Sequence, residues 1–376
     1  MSVVYKKLEE VCEILDSQRI PITAKDRKSG IYPYYGANGL QDHVADYIFD
    51  DELVLLAEDG GNFGSKDRPI AYRVSGKCWV NNHAHVLKAK SDMHIDYLCY
   101  ALMFYNTDGL VNGATRKKLT QAAMRQMVIP YRCMMEQEQI VDEISRIFHL
   151  ISVRNEELAL LEQLVKSRFI ELFGDVIRNN KAWQMRLFAD IASSRLGKML
   201  DAKQQTGKCS YPYLANFNVQ WFRFNIENLN QMDFDEDDRT EFELKDGDLL
   251  VCEGGEIGRC AVWHNEIQPC FFQKALHRVR CNRQIIHPDY LAWWFKYNCD
   301  YDGFAAIAGA KATIAHLPGV KLKQLHVAVP PLELQEQFAA FVEQTDKSKY
   351  FACQTLSFLL KLANNLQSWR EKQYDY

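Results

Sequence analysis

The chain has 376 residues, 47% of them hydrophobic, and a formal net charge of −4. A chain of this length and composition is expected to form two domains of ordinary size, each with its own core, which excludes a disordered protein. The acidic net charge excludes a protein that grips a polyanion over its whole surface but permits local basic loops.

The part of the chain up to residue 130 predicts a small domain of strands and turns with one helix. A short amphipathic segment covers residues 6–15. The runs 53–57 and 86–89 are strand-like because they are apolar and bounded by Gly, Asp and Asn. Residues 59–62 predict a turn, and residues 95–105 predict a helix with aromatic and aliphatic residues on one face.

A long helix is predicted from Met134 to Leu172. Its apolar residues recur at alternating steps of three and four, which is the spacing of one seam that needs a partner. These residues are Ile140, Ile144, Ile147, Ile151, Leu158, Leu161, Val165 and Leu172. Arg154 and Arg168 interrupt the seam, and Gly174 is a fitting helix stop.

The second half of the chain predicts a similar set of elements. Strand candidates are 249–252, 261–263 and 275–279, and residues 288–297 predict a helix. Residues 233–243 hold seven acids against Arg239 as the one cation, which predicts a solvated loop kept away from any polyanion. After Pro330 and Pro331 a second seam begins, formed by Phe338, Val342, Ala352, Leu356, Leu359, Ala363 and Leu366. We expect this helix to be the partner of the first.

The two halves are related by an internal repeat. Phe338 follows Ile140 at the same offset at which Gln335 follows Gln137 and Thr313 follows Thr115. Further upstream the offset shrinks but the order holds, since Tyr32-Pro33-Tyr34 pairs with Tyr211-Pro212-Tyr213 and His85 with His277. A period of about 200 residues indicates a duplicated domain rather than a solenoid. We therefore expect mixed α+β domains at 1–130 and 175–329, each followed by a long helix, at 131–174 and 330–376.

Several constellations resemble parts of active sites, and each is better explained without catalysis. Gly254 to Gly258 has the glycines of a phosphate loop but not the Gly-Lys spacing of one. His83 and His85 alternate along a predicted strand and suit a metal, yet no third ligand is near in sequence. Glu58-Asp59 and Glu253 are interpreted as turn residues because a nuclease lysine is not present in both copies. The sequence predicts no catalytic set, no cofactor and no metal site.

Basic residues cluster at places that we interpret as matching in both halves. A solvated charge run is the default for any one cluster, but duplication favours contacts with phosphates and base edges. The candidate DNA-binding residues are Lys25, Arg27, Lys28, Lys66, Arg68, Thr115, Arg116, Lys117 and Lys118 in the first half, and Arg195, Lys198, Lys203, Lys311 and Thr313 in the second.

The N-terminal sequence, the length of the apolar runs and the cysteines together predict a cytoplasmic protein. The N-terminus lacks the basic start and apolar middle of a signal peptide, and no apolar run reaches spanning length. The eleven cysteines, among them Cys99, Cys252 and Cys353 at core-like positions, predict reduced thiols rather than a disulfide framework. We expect a soluble cytoplasmic protein.

Taken together, these residues resemble the specificity subunits of type I restriction-modification systems. The likeness covers nearly the whole chain and rests on motifs that are specific in combination. They are YPYYGANG (32–39), EDGG (58–61), VNNHAHVL (80–87), GKMLDAKQ (197–204), EGGEIGR (253–259), QKALHRV (273–279) and PPLELQEQFAAFVEQ (330–344). One departure is Pro130-Tyr131-Arg132-Cys133, which lacks the proline pair found before the second helix.

The resemblance implies two target-recognition domains, each reading one half of a split, asymmetric DNA sequence. It further implies that two long helices pair antiparallel in a coiled coil between the domains, and that the subunit has no catalytic activity of its own. Two modification subunits that bind S-adenosylmethionine would dock on it and methylate adenine, and restriction subunits would join them. The alternatives are an adaptor that binds only protein through degenerate recognition domains, and a bifunctional methyltransferase or nuclease.

Overall fold

The structure is a computed structural model, and it describes residues 4–113, 116–200, 205–304 and 316–368. The chain separates into two compact units. Unit 1 runs to Asn155 and resumes at Gln354, and unit 2 spans Glu156–Cys353. The division does not coincide with the ends of the two long helices, because each helix contributes residues to both units.

Unit 1 is a mixed α+β unit. Within the described residues its strands are β1 (Val4–Lys7), β2 (Cys12–Ile14), β3 (Ser29–Gly36), β4 (Gly39–Val44), β5 (Phe49–Ala57), β6 (Ala71–Val80), β7 (Ala84–Ala89), β8 (Val111–Asn112), β9 (Lys118–Leu119) and β10 (Val128–Tyr131). Its short helices are α1 (Leu8–Val11), α2 (Ile95–Leu102) and α3 (Gln121–Gln126).

The main sheet of unit 1 has the strand order β2-β7-β5-β6-β3-β4. The second part of the central strand β5, residues 53–57, is buried on both faces, which explains why it is apolar throughout. Val54 and Leu56 pack in a core with α2, whereas Leu53 and Leu55 pack in a second core on the opposite face. The strand predicted at residues 53–57 is confirmed, and so are the strand at 86–89 and the helix that begins at Ile95.

Unit 2 repeats the arrangement. Its described strands are β11 (Gln184–Leu187), β12 (Ala192–Leu196), β13 (Ser210–Leu214), β14 (Val219–Gln220), β15 (Arg223–Phe224), β16 (Asn230–Asp233), β17 (Leu249–Cys252), β18 (Cys260–Val262), β19 (Phe271–Phe272), β20 (Leu276–Cys281) and β21 (His326–Val329). Its helices are α5 (Phe188–Ile191), α6 (Glu236–Phe242), α7 (Pro288–Asp300) and α8 (Gly319–Lys323).

The sheets of unit 2 follow the order of unit 1 with one interruption. The order β12-β20-β17-β18 repeats β2-β7-β5-β6, and β16-β13-β19 repeats the pairing of β4, β3 and β6. The single strand β6 corresponds to two strands, β18 and β19, because residues 71–78 of β6 pair with β5 and its last two residues pair in parallel with β3. The predicted strands at 249–252, 261–263 and 275–279 correspond to β17, β18 and β20.

The two long helices are α4 (Met134–Phe173) and α9 (Leu332–Ser368). Gly174 ends α4 in the left-handed conformation, at φ +72°, and its N–H donates to the carbonyl of Ile170, as expected for a glycine helix stop. In unit 2 the end of α4 packs on the beginning of α9. Phe173 and Phe169 contact Phe338, and Arg168 lies over Phe341 at 5.9 Å, so the residue numbers run in opposite directions along the contact.

Three sequence-based expectations about secondary structure and burial were wrong. The acidic run 233–243 is not a loop, since it ends β16 and forms α6, with Asp235 as an N-cap that accepts a hydrogen bond from the Asp238 N–H. His83 lies in the turn before β7 rather than on the strand. Cys353 is exposed, although Cys99 and Cys252 are buried as expected.

The cysteines are present as thiols and form no disulfide bonds. All eleven cysteines are free, and burial raises the pKa of the Cys12 thiol to about 12 and that of Cys252 to about 11. Within the described ranges, no helix combines the length and the apolar character that a membrane-spanning segment needs.

Candidate nucleic-acid interface

The clearest candidate surface in unit 1 is built from two backbone segments that lie side by side. One is the turn after β5, Glu58–Gly61, which we call the glycine turn. The other is Arg116–Lys118, which we call the basic segment. The N–H of Gly60 donates to the carbonyl of Lys117 at 3.1 Å, and that of Leu119 donates to Glu58 at 2.8 Å. These hydrogen bonds bring together residues that are far apart in the sequence.

Acids of the glycine turn hold two of the three cations of the basic segment. Arg116 Nε lies 2.7 Å from a carboxylate oxygen of Asp59, and Lys118 Nζ lies 3.2 Å from one of Glu58. A Cβ on Gly60 would lie 3.0 Å from Arg116 Nε, and the φ of Gly60 is +69°, so glycine serves both the turn and the approach of the guanidinium.

The loop that carries Lys66 and Arg68 borders the same surface. Both side chains are exposed, and Lys117 Nζ lies 3.8 Å from the place that a Cβ on Gly64 would occupy. Lys117 is itself exposed. The structure thus joins two of the three basic clusters predicted in the first half, 66–68 and 116–118, on one side of unit 1.

A buried network supports the glycine turn from below. His85 is fully buried, with Nδ1 2.6 Å from a carboxylate oxygen of Asp16 and Nε2 2.9 Å from the carbonyl oxygen of Leu119. Arg19 donates to the Glu58 carboxylate at 2.7 Å and lies 3.5 Å from that of Asp16. The network connects the segment of Asp16 and Arg19, the glycine turn and β9 to one another.

The electrostatics of this network favour charged carboxylates. Burial alone would raise the pKa of Asp16, but the hydrogen bond and charge of His85, the Val86 N–H and Arg19 together lower it below the ordinary value. The pKa of Glu58 is lowered in the same way, because Arg19, His85 and Lys118 outweigh its burial.

This network also contains the set of possible metal ligands found in the described part of the chain. Ligand atoms of Asp16, Glu58 and His85 lie within 4.8 Å of one another. The Arg19 guanidinium already contacts both carboxylates, so the cluster has its own cation. We therefore interpret it as a structural ion-pair network, in which His85 is a structural histidine.

The third basic cluster of the first half lies on a different loop. Lys25 and Lys28 are exposed. Arg27 is more constrained, since its guanidinium lies over the Tyr34 ring at 4.1 Å and 3.4 Å from a carboxylate oxygen of Asp42. Lys25 and Lys28 are therefore the members of this cluster that are free to reach a phosphate.

Unit 2 has a related turn with different side chains. Gly254 pairs with His316 in an antiparallel bridge, as Asp59 pairs with Lys118 in unit 1. The Leu317 N–H donates to the Glu253 carbonyl, and His277 Nε2 lies 3.0 Å from the carbonyl oxygen of Leu317. The backbone scaffold is thus repeated, whereas the two bridge residues of unit 1, Asp59 and Lys118, are replaced by Gly254 and His316.

The basic opening of the second half lies against the acidic helix α6. Arg195 forms an ion pair with Glu241. Lys198 contacts the Asp238 carboxylate and donates to the Asp233 carbonyl at 2.7 Å. Because β12 takes the place of β2, Arg195 occupies the position of Leu15 and not that of Lys25. The structure therefore does not place these cations at the site that matches the first half.

Four predicted positions, Thr115, Lys203, Lys311 and Thr313, lie outside the described residues. Sequence reasoning also missed several residues that shape the surface. Arg19 and Asp16 anchor the glycine turn, and Arg259 donates to the backbone and side-chain oxygens of Asn216 beside the turn of unit 2. A signal was available for Arg259, because it ends the motif EGGEIGR. Asp16 and Arg19 carried no such signal.

Comparison with known proteins identifies relatives across nearly the whole chain. The sequence profile described as "type I restriction modification DNA specificity domain" matches residues 2–163 and again residues 180–351. A Haemophilus influenzae protein named as a type I restriction enzyme specificity subunit is 27% identical over 358 residues, which cover 91% of this chain and 87% of that protein. Each profile match contains one of the two repeated halves.

Solved structures show the same fold. The crystal structure of a type I restriction-modification S subunit from M. genitalium superposes with a TM-score of 0.62 at 12% identity, covering 98% of this chain and 95% of that one. A chain from a structural study of complex assembly and conformational transition in the type I restriction-modification system gives a TM-score of 0.57 at 14% identity, with 98% of both chains covered.

Proposed function

Because the chain belongs to the family of type I restriction modification DNA specificity domains, we propose that each of its repeated halves reads one half of a bipartite, asymmetric DNA site. In this role the chain is the DNA sequence-specificity subunit of a type I restriction-modification complex. The observation that carries the proposal is the coincidence of the duplicated fold with the duplicated family match. Two copies of one scaffold with different loop residues suit two different half-site sequences.

The proposal assigns residues 1–130 and 175–329 to the two target-recognition domains, and residues 131–174 and 330–376 to the two spacer helices. In the first domain the exposed cations Lys25, Lys28, Lys66, Arg68 and Lys117 are the best placed for DNA. Such residues hold a protein on the phosphates, while sequence is read at base edges. In the second domain Lys198 is largely buried against acids, so it supports a loop rather than contacting DNA.

The long helices have surfaces suited to a protein partner. Tyr350 and Phe351 on α9 are 61% and 68% exposed, and both line a groove with Glu343 and Asp346. Exposed aromatic groups of this size commonly mark protein interfaces. We assign these helices the docking of two modification subunits, which bind S-adenosylmethionine, methylate adenine and are joined by restriction subunits for cleavage.

The test uses the purified chain with and without modification subunits. The chain alone should neither methylate nor cleave DNA, whereas the complex with S-adenosylmethionine should methylate adenines at one bipartite sequence. Mapping methylated adenines in a strain that carries the genes gives that sequence. Methyl transfer by the pure chain, shown by mass spectrometry to be free of its partner, would favour a bifunctional enzyme. A complex that binds site-containing and scrambled DNA equally would favour a protein adaptor.

A further inference from the structure

The acid Asp59 lies on the surface that the proposed function assigns to DNA, where a negative charge should repel the phosphates. Its side chain is nevertheless only 21% exposed, and one carboxylate oxygen forms an ion pair with Arg116 Nε at 2.7 Å. A second oxygen lies 3.5 Å from His83 Nδ1. The carboxylate is therefore turned toward the protein and is matched by a cation of the basic segment.

This contact fixes the direction of the basic segment. Arg116 and Lys118 both reach acids of the glycine turn. Lys117 instead extends toward the neighbouring loop, with Nζ 3.8 Å from the place that a Cβ on Gly64 would occupy, and it is exposed there.

We propose that Asp59 is a positioning residue for DNA reading in the first half of the chain. Its carboxylate holds Arg116 across Gly60, and this contact keeps Lys117 on the DNA side of the surface. The inference rests on the proposed function and deepens it, since it assigns an acid a favourable role in binding a polyanion. Net charge alone predicts the opposite effect on affinity, because removing an acid should strengthen binding to DNA.

The contact between Asp59 and Arg116 belongs to the first half of the chain only. In unit 2 the position of Asp59 is occupied by Gly254, and that of Lys118 by His316. A Cβ on Gly254 would lie 3.1 Å from the His316 ring, so the histidine packs directly on the turn. Loss of the Asp59 carboxylate should therefore weaken reading of a single half-site.

The experiment measures DNA affinity of the complex with modification subunits by filter binding to a duplex that carries the mapped site. Asp59→Asn is compared with Asp67→Asn, which removes the same charge from an exposed position on the neighbouring loop. We expect Asp59→Asn to weaken binding roughly two- to fivefold, the upper part of the range for one surface ion pair. Asp67→Asn should leave the affinity unchanged or raise it.

A double-mutant cycle separates positioning from bulk charge. If Asp59 acts through Arg116, then Arg116→Gln should weaken binding about as much as Asp59→Asn, and the double variant should be no weaker than either single variant. Asp59→Glu, which keeps the carboxylate, should recover part of the affinity, and this recovery excludes a general folding defect. Competition with duplexes altered in one half-site should assign the loss to one half.

The inference is overturned if Asp59→Asn binds as tightly as the wild type or more tightly, or if the losses from Asp59→Asn and Arg116→Gln multiply in the double variant. Failure of the proposed function has a different signature. In that case the wild-type complex itself does not distinguish the mapped site from a scrambled duplex, and both proposals fail together.

Discussion

At the scale of single residues, two lysines that the sequence presents alike are placed in different environments. Lys117 is exposed at the edge of the glycine turn. Lys198 has a side chain only 13% exposed, and it contacts the Asp238 carboxylate and the Asp233 carbonyl oxygen. A cation that is already matched by acids adds little to the binding of a polyanion, so the first lysine should act on DNA and the second on the fold.

Alanine substitutions should separate these roles. Lys117→Ala should weaken DNA binding by the complex for all sequences and lower the salt slope by about one, as expected for a lost phosphate contact. Lys198→Ala should leave the salt slope unchanged but reduce the free energy of unfolding by roughly 1–3 kcal/mol, because it removes charge-assisted hydrogen bonds at a largely buried site. Salt-dependent filter binding and urea unfolding measure the two effects. An unchanged unfolding free energy for Lys198→Ala would contradict the assignment.

The buried carboxylate of Asp16 should make stability depend on acid pH. Its pKa in the folded chain is lowered, so it adds stability above its unfolded pKa of about 4. That contribution is lost as the pH falls from the unfolded pKa through the folded one. We expect Asp16→Asn to lower the unfolding free energy near neutral pH and to flatten its decline in acid. Urea unfolding over an acid pH series, with Asp67→Asn as the exposed control, tests this; parallel curves for wild type and Asp16→Asn would contradict it.

At the scale of elements, strands and helices with a clear apolar pattern could be predicted from the sequence. Leu249–Cys252 was recognisable as a strand because a central strand, covered on both faces, is apolar throughout. The long helices were recognisable from their seams, whose members such as Val165, Phe338 and Leu359 are buried. The acidic helix α6 was missed because charge was weighed above spacing, although Asp235 and Asp238 have the spacing of a helix cap.

Contacts between residues far apart in the sequence could not be predicted from the periodicity of apolar residues. The glycine turn was predicted as a turn, but nothing local indicates that Asp59 meets Arg116 or that Asp16 meets His85. The same holds for Arg195 and Lys198, whose partners lie on α6. The candidate residues could therefore be proposed from composition, whereas their division into exposed and internally paired cations required the fold.

The cap of α6 gives an element-scale test. Asp235→Ala should destabilise unit 2 by about 1 kcal/mol, because it removes the acceptor for the Asp238 N–H at the helix start. Asp237→Ala is the matched control, since it removes an exposed acid from the same first turn without removing the cap. Thermal unfolding of the two variants should differ in midpoint. Equal midpoints would show that α6 does not depend on this cap.

At the scale of the whole molecule, the repeat extends to single hydrogen bonds. The fully buried Gln137 accepts from the His94 N–H at 2.7 Å, and the fully buried Gln335 accepts from the His287 N–H at 2.8 Å. In each half a tyrosine donates to a backbone carbonyl just before the long helix, Tyr97 of α2 to Pro130 and Tyr290 of α7 to Ala328. The offset that relates Gln137 to Gln335 in sequence is therefore a structural equivalence. It anchors the start of each long helix to its own unit.

This anchoring leads to a prediction about the DNA site. The helix α4 has 40 residues, roughly 60 Å at about 1.5 Å per residue. If the paired helices set the distance between the half-sites, one heptad inserted after Leu158 and one after Leu356 should keep both seams in phase and add roughly 10 Å. At about 3.4 Å per base pair, the unread spacer should grow by roughly three base pairs while both half-site sequences stay the same.

The control is an insertion in one helix alone. Such a variant shifts one seam against the other, so it should lose methylation activity rather than acquire a new spacer. Sequencing of methylated adenines in strains that carry each variant gives the spacer directly. An active, doubly extended protein that retains the original spacer would show that the length of the helices does not determine the separation of the half-sites, and the distance would then have to be set by the recognition domains or by the modification subunits.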